Sequence, residues 1–281
     1  MTEPSTHRDD AIRICGADDF AAAFHVSQET LDRLAIYERL LRHWQKTINL
    51  VAPSTLDAIW HRHFADSAQL LALAPRAATW VDLGSGAGFP GLVVAILLAN
   101  SPPHRAGGAS STRRGEGLGV GGATTADVLR SPPPCPSPTR GEGTTSGSGA
   151  ALRPRVTLIE ANARKCAFLR EVVRQTGISA RVAVDILSTR IEKTATQASL
   201  QGPDVVTARA LAPLDKLINL AAPLSLPRSV GLFLKGREVA TELRAAEKMW
   251  NFDVELVPSR TDLDASVVVI RSLHPKAKTK E

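Results

Sequence analysis

The 281-residue sequence predicts an α/β fold, an open and mostly parallel sheet preceded by a helical N-terminal segment. Three observations carry this expectation. Beyond Trp80, short apolar runs of strand length alternate with amphipathic runs of helix length, the pattern of a parallel sheet covered on both faces. The first apolar run, "TWVDL", passes directly into "GSGAGFPG" (Gly84 to Gly91), a turn rich in residues without side chains. Such a turn permits positive φ and lets another molecule approach the backbone closely. The last two runs, "FDVELVP" and "SVVVIRS", are joined by too few residues for a helix, so this pair is antiparallel. The expected sheet has seven strands with its last strand reversed.

The elements follow in order. Leu31, Leu34, Tyr37, Leu41, Trp44 and Ile48 recur at three- and four-residue spacing on one helix face, with Ser27 as the N-cap. A second helix is expected from Ser54 to just before Pro75, with Asp57 favouring its first turn. On it His63, Asp66 and Ser67 share a face, which reads as a hydrogen-bonded packing surface. After the first strand and the glycine turn comes an apolar helix, Gly91 to Ala99. "RVTLIEA" is the second strand, followed by a helix from Asn162 stopped at Gly177. "ARVAVDI", "PDVVTARAL" and "SVGLFLKG" are the third to fifth strands, and "EVATELRAAEKMW" is a helix before the closing pair. The expected organisation is an N-terminal helical extension over 1–78, a main domain over 79–273 and a basic tail over 274–281.

Residues 101–153 break the pattern. They hold eleven glycines, seven prolines and seven serines, and no phenylalanine, tyrosine or tryptophan. The segment half repeats itself, "STRRGEG" returning as "SPTRGEG". So little apolar surface cannot offset the entropy of ordering, and the segment reads as a disordered surface insertion between the first helix and the second strand.

Composition excludes several classes. The start, "MTEPSTHRDD", is polar and acidic, unlike a secretory signal. The longest apolar run, Leu92 to Ala99, falls far short of the ~20 residues that span a bilayer. Cys15, Cys135 and Cys166 show no metal or disulfide spacing, so no metal site is expected. The reading is a cytoplasmic chain, and its net charge of +6 suits an anionic partner.

The insertion hides a spacing. In nucleoside-binding sheets the acid that holds the ribose hydroxyls ends the second strand, ~20 residues past the glycine turn. Glu160 ends that strand but lies 74 residues after Gly86, and removing the 53 inserted residues leaves 21. The glycines form G-x-G-x-G at Gly84, Gly86 and Gly88, and the third glycine of the dinucleotide pattern would fall on Phe89. Asp82 before the turn would repel a pyrophosphate and suits a ligand carrying an amine and a sulfonium. Acid, G-x-G-x-G and second acid together resemble the S-adenosylmethionine (SAM) site of class I methyltransferases, a Rossmann-like fold. A nucleotide-binding oxidoreductase is the alternative that Phe89 and Asp82 argue against.

Further segments narrow the resemblance: "WQKTINLVA", "RHFADS", "DLGSGAGFPG", "RKCAFLREV", "VVTARALAPL" and "FLKGRE", in this order. Together they resemble the bacterial small-subunit rRNA guanine-N7 methyltransferases, the RsmG (GidB) family, from about Asp32 to Leu273, with the insertion as the departure. The resemblance implies SAM as cofactor and methyl transfer to N7 of a guanine in 16S rRNA, free or in the small-subunit particle, by a monomer. The alternative is a class I methyltransferase acting on a small molecule or a protein. Carried onto this chain, the cofactor contacts are Gly84 and Phe89 in the turn, Ile191 and Glu192 after the third strand, and Arg209 ending the fourth. Gly86 and Glu160 join them from the turn and the ribose spacing. Arg62, His63 and Lys235 are the candidate RNA contacts, and Arg209 the candidate for placing the reactants. Arg39, Arg42, His43, Lys46, Lys276, Lys278 and Lys280 are candidate phosphate contacts. No general base is implied, because guanine N7 already carries a free lone pair.

Overall fold

The computed structural model describes residues 12–100, 153–194, 200, 202–225 and 227–276. The insertion therefore lies outside the described residues except for Arg153, whose guanidinium donates to Val182 O at 3.1 Å. Lys278 and Lys280 also lie outside them.

Two helices come first, α1 (Ala17–Phe24) and α2 (Gln28–Trp44). Ser27 caps α2 as expected, its side chain accepting from Thr30 N, an arrangement worth about 1 kcal/mol. Leu31, Leu34, Tyr37 and Leu41 are buried on the inner face. The helix expected from Ser54 is not continuous. A 3-10 turn (Pro53–Thr55), a π-helical turn (Trp60–Ala65) and two short helices, α3 (Asp66–Ala68) and α4 (Leu70–Leu73), take its place.

The sheet follows: β1 (Thr79–Leu83), α5 (Gly91–Leu98), β2 (Arg155–Glu160), α6 (Ala163–Thr176), β3 (Ala183–Ser188) and β4 (Val205–Arg209). Then come α7 (Leu214–Ala221), β5 (Val230–Lys235), α8 (Val239–Ala246), β6 (Trp250–Pro258) and β7 (Ser266–Pro275). The strand order is β3-β2-β1-β4-β5-β7-β6. β1 to β5 run parallel, and β7 is antiparallel to both β5 and β6. From β1 the chain winds outward through β2 to β3, then returns to β4 on the other side. That reversal leaves a crevice at the carboxyl ends of β1 and β4, where open α/β sheets bind ligands.

Alternation along the strands feeds two apolar layers. Trp80, Val156 and Leu158 face a layer with α2, the π-helical turn, α5 and α6. Val81, Leu83, Ile159 and Val206 face α7 and α8 through Leu217, Ile218 and Leu243. The helices before β1 thus share a continuous core with one face of the sheet.

Several local expectations need correction. β3 lies two to three residues later than expected, because Ile178–Ala180 form a 3-10 turn. α8 ends at Ala246, and Trp250 opens β6. β7 continues to Pro275, so residues placed in the tail belong to the sheet.

Candidate functional site

A cleft of about 1170 Å³ opens at the carboxyl ends of the parallel strands, with Gly84, Gly86, Glu160, Ile191, Arg209 and Lys235 among its walls. Each strand delivers its residue there because parallel strands all point the same way.

The glycine turn is built by the backbone it must adopt. Gly84, Gly86 and Gly88 have φ of 63°, 56° and 94°, conformations that side-chain-bearing residues rarely take. The three are not equivalent. A Cβ on Gly88 would lie 2.6 Å from the Tyr37 hydroxyl, and one on Gly84 2.5 Å from a methyl of Leu211. A Cβ on Gly86 would meet only Gly84 O, at 3.8 Å. Gly86 is therefore the bare floor of the cleft, whereas Gly84 and Gly88 are bare because protein fills the space.

Two carboxylates flank the turn with different environments. Glu160 Oε2 accepts from Gly86 N at 2.9 Å and Oε1 from Asn162 N at 2.7 Å, so the end of β2 is oriented at the cleft wall by two backbone donors. Asp82 does not face the cleft, which corrects its assignment as a ligand contact. It is 1% exposed, accepts from Thr207 Oγ1 at 3.0 Å and Gly91 N at 3.2 Å, and ties β1 to β4 and α5 from behind the turn. Burial pushes its carboxyl up to about 6, against the pull of its hydrogen bonds and of Arg209.

Phe89 anchors an aromatic stack. It lies between Tyr37 (centroids 5.3 Å apart, interplanar 17°) and His63 (4.8 Å, 18°), and the Arg209 guanidinium sits 5.0 Å from its ring centre. The Tyr37 hydroxyl donates to Ala87 O, fastening α2 to the turn. Phe89 is 5% exposed and presents little area to a ligand.

Arg209 is a clamp rather than a free surface cation. Its Nη1 donates to Arg62 O at 2.9 Å and to Asp66 Oδ2 at 3.1 Å, and its Nη2 meets His63 Nδ1 at 2.5 Å. Arginine has no acceptor, so His63 Nδ1 accepts and its proton resides on Nε2. Nε2 then donates to Thr55 Oγ1 at 2.8 Å, and that hydroxyl donates to Ala52 O. Burial first, then Arg209 and Arg62, lower His63 to about 3, so it stays neutral. Of five guanidinium protons, Nε–H and one on Nη2 remain for a ligand.

The other candidates are placed as follows. Lys235 Nζ donates to Ala212 O at 2.5 Å and pairs with Glu242 Oε2 at 2.7 Å, holding the loop after β4. Arg62 pairs with Asp262 at 2.7 Å, joining the π-helical turn to the loop before β7. Ile191 and Glu192 form a 3-10 turn on the cleft wall after β3. Asp66, Thr207 and Leu211 are site residues that the sequence reasoning did not assign. Asp66 had a signal, its place in "RHFADS" beside His63. Leu211 had none, since only the fold puts it over Gly84.

The family described as rRNA small subunit methyltransferase G (GidB) matches residues 30–101 and 150–266, passing over most of the insertion. This chain belongs to that family. The small-subunit rRNA methyltransferase G of Parvibaculum lavamentivorans is 41% identical over 263 residues, covering 93% of this chain and 92% of its own. That of Rhodospirillum centenum is 43% identical, covering 92% of each. Among solved structures, the O-methyltransferase from Bacillus cereus in complex with SAH superposes with a TM-score of 0.48 at 11% identity, covering 92% of this chain and 98% of that one.

The family's architecture is the class I SAM-dependent methyltransferase fold, and the sheet order with its reversed β7 is that fold. Among the described residues no group of three or more His, Cys, Asp or Glu is arranged to hold a metal ion. No helix among them is long and apolar enough to cross a membrane.

Proposed function

We propose that this chain transfers the methyl group of SAM to N7 of a guanine in 16S rRNA, acting as a monomer in the cytoplasm on the free RNA or the small-subunit particle. The observation that carries the reading is family membership joined to a cleft at the switch between β1 and β4 whose wall acid is already oriented. SAM supplies an electrophilic methyl on a sulfonium.

The residues present suit that cofactor. Glu160 offers a carboxylate with lone pairs left for two ribose hydroxyls, and Gly86 leaves backbone open to close approach. Ile191 and Glu192 supply an apolar side chain and polar backbone for adenine, with Gly84 and Phe89 shaping the turn from beneath. Arg209, with two donors unused, reaches the cofactor carboxylate or an RNA phosphate bidentately. Arg62, His63 and Lys235 act on the RNA through the loops they hold. The domain begins at Thr79, and the helices up to Ala78 serve as its extension.

No side chain needs to remove a proton, because N7 attacks with its own lone pair. The rate then comes from alignment of nucleophile and methyl, and from oxygens around the charge that moves onto guanine. Mass spectrometry of rRNA nucleosides tests the proposal. A strain lacking the protein loses one N7-methylguanosine from 16S rRNA, and purified protein with SAM restores it on extracted RNA or on the particle. Unchanged N7-methylguanosine refutes the rRNA reading.

A further inference from the structure

The two rims of the cleft differ in charge. On the β4–β5 side each cation that lines the cleft has its own carboxylate, Arg209 with Asp66 at 3.1 Å, and Arg62 with Asp262 and Lys235 with Glu242 at 2.7 Å each. Beside them Arg237 pairs with Asp264 at 2.7 Å and Arg260 lies over the Phe24 ring. That rim is neutral. On the β2–β3 side, Lys165 and Arg190 line the cleft, with Arg164 and Lys193 exposed beside them. None of these four has an ion-pair partner within 4 Å among the described residues. The carboxylates on this side are Glu160, bound to two backbone amides, and Glu192, and both line the cleft itself.

Four cations thus stand against two carboxylates, on two turns that follow hydrogen-bonded neighbouring strands. Fold stability does not ask for them. Arg164 and Lys165 sit in the first turn of α6, where the helix dipole disfavours positive charge. The basic face expected on α2 is a weaker candidate, since Arg42 is paired with Glu38 at 2.9 Å and Arg39 donates to Gln175.

We infer that the rim formed by Arg164, Lys165, Arg190 and Lys193 is the docking surface for the phosphodiester backbone of the RNA substrate, an inference that rests on the rRNA reading. An RNA strand carries one negative charge per nucleotide, and an uncompensated cation cluster binds it by releasing condensed counterions. Phosphate contacts of this kind fix register and orientation rather than read sequence. With the backbone held on this rim, the target guanine splays across the cleft towards the neutral rim, where Arg209 stands.

The test is Arg164→Glu/Lys193→Glu, two residues outside the cleft lining, against a control with the same change in net charge, Arg237→Glu/Lys248→Glu. Binding to deproteinised 16S rRNA is measured across KCl concentrations, with SAM affinity measured by calorimetry as the check on folding. The rim variant loses about tenfold or more in RNA affinity, and its log–log salt slope becomes shallower by about 1.4–1.8, or roughly 0.7–0.9 per lost contact. SAM affinity stays within about twofold of wild type, and the control keeps the wild-type slope. A rim variant with the wild-type slope, or a control that takes the loss instead, overturns the inference. Wild-type protein with no RNA-dependent methyl transfer would instead overturn the reading beneath it.

Discussion

Two buried titratable groups pull the pH dependence of stability in opposite directions. Burial holds His63 at about 3, below its ordinary 6.5. Between those values the unfolded chain binds a proton that the folded chain does not, so stability rises with pH by about 1.4 kcal/mol per unit. Its contribution is complete above 6.5 and is lost as pH falls towards 3. Burial raises Asp82 from its ordinary 3.8 to about 6. There the folded chain holds the extra proton, so stability is greatest below 3.8 and falls by about 3 kcal/mol as pH rises through 6. Between about pH 4 and 6 the two slopes nearly cancel in the wild type. Asp82→Asn removes one slope and keeps a near-isosteric partner for Thr207 and Gly91 N. Relative to wild type it gains about 3 kcal/mol between pH 4 and 6. His63→Gln removes the other slope, and relative to wild type it loses about 3 kcal/mol between pH 4 and 6.5, whatever constant penalty its lost stacking adds. Urea unfolding at matched ionic strength and half-unit pH steps reads both differences. Variants whose stability runs parallel to wild type across this range refute the assignment of the two groups.

Arg209→Ala lowers unfolding free energy by about 2–4 kcal/mol, because it leaves Asp66 Oδ2 and His63 Nδ1 without their donor. The corresponding fall in Tm is roughly 5–15 °C by calorimetry, and a change of a degree or two would mean the clamp is idle. Gly86→Ala costs about 1 kcal/mol for its positive φ and places a methyl on the cleft floor, so SAM binding weakens more than folding does. Gly88→Ala drives a methyl into Tyr37 and Leu92 and lowers stability by about 3 kcal/mol or more, which thermal unfolding of the two variants side by side resolves. Replacing residues 101–153 by a short Gly/Ser linker keeps the fold and SAM affinity and raises stability by about 1–3 kcal/mol, since the entropy of closing a connection grows logarithmically with its length. Lost SAM binding in that variant would refute the view of the segment as a dispensable insertion.

Much of this was legible in the chain because it depends on local pattern. The strand alternation, the Ser27 cap, the Gly177 stop and the Glu160 spacing each follow from residues close in sequence once the insertion is subtracted. The apolar spacing of α7 (Leu214, Leu217, Ile218, Ala221) is equally readable, though the elements expected from the sequence include no helix there. The π-helical turn was not readable, since periodicity cannot distinguish a one-residue widening from a regular helix. The burial of Asp82 and the Arg209 clamp were hidden for another reason. Their partners lie more than a hundred residues away, at Thr207 for Asp82 and at His63 and Asp66 for Arg209. An arginine in "TARAL" looks like any surface arginine until the fold brings the π-helical turn and α3 over it.

The stack beneath the glycine turn also provides a ready-made reporter. Tyr37 is the chain's single tyrosine, and it touches Phe89 while its hydroxyl holds Ala87. Burial keeps that hydroxyl protonated well beyond the ordinary tyrosine range. Growth on fluorotyrosine would therefore plant one fluorine nucleus, and one resonance, beside the segment that must receive the nucleoside. A titration followed by fluorine magnetic resonance would watch that turn alone, free of overlap from the rest of the protein.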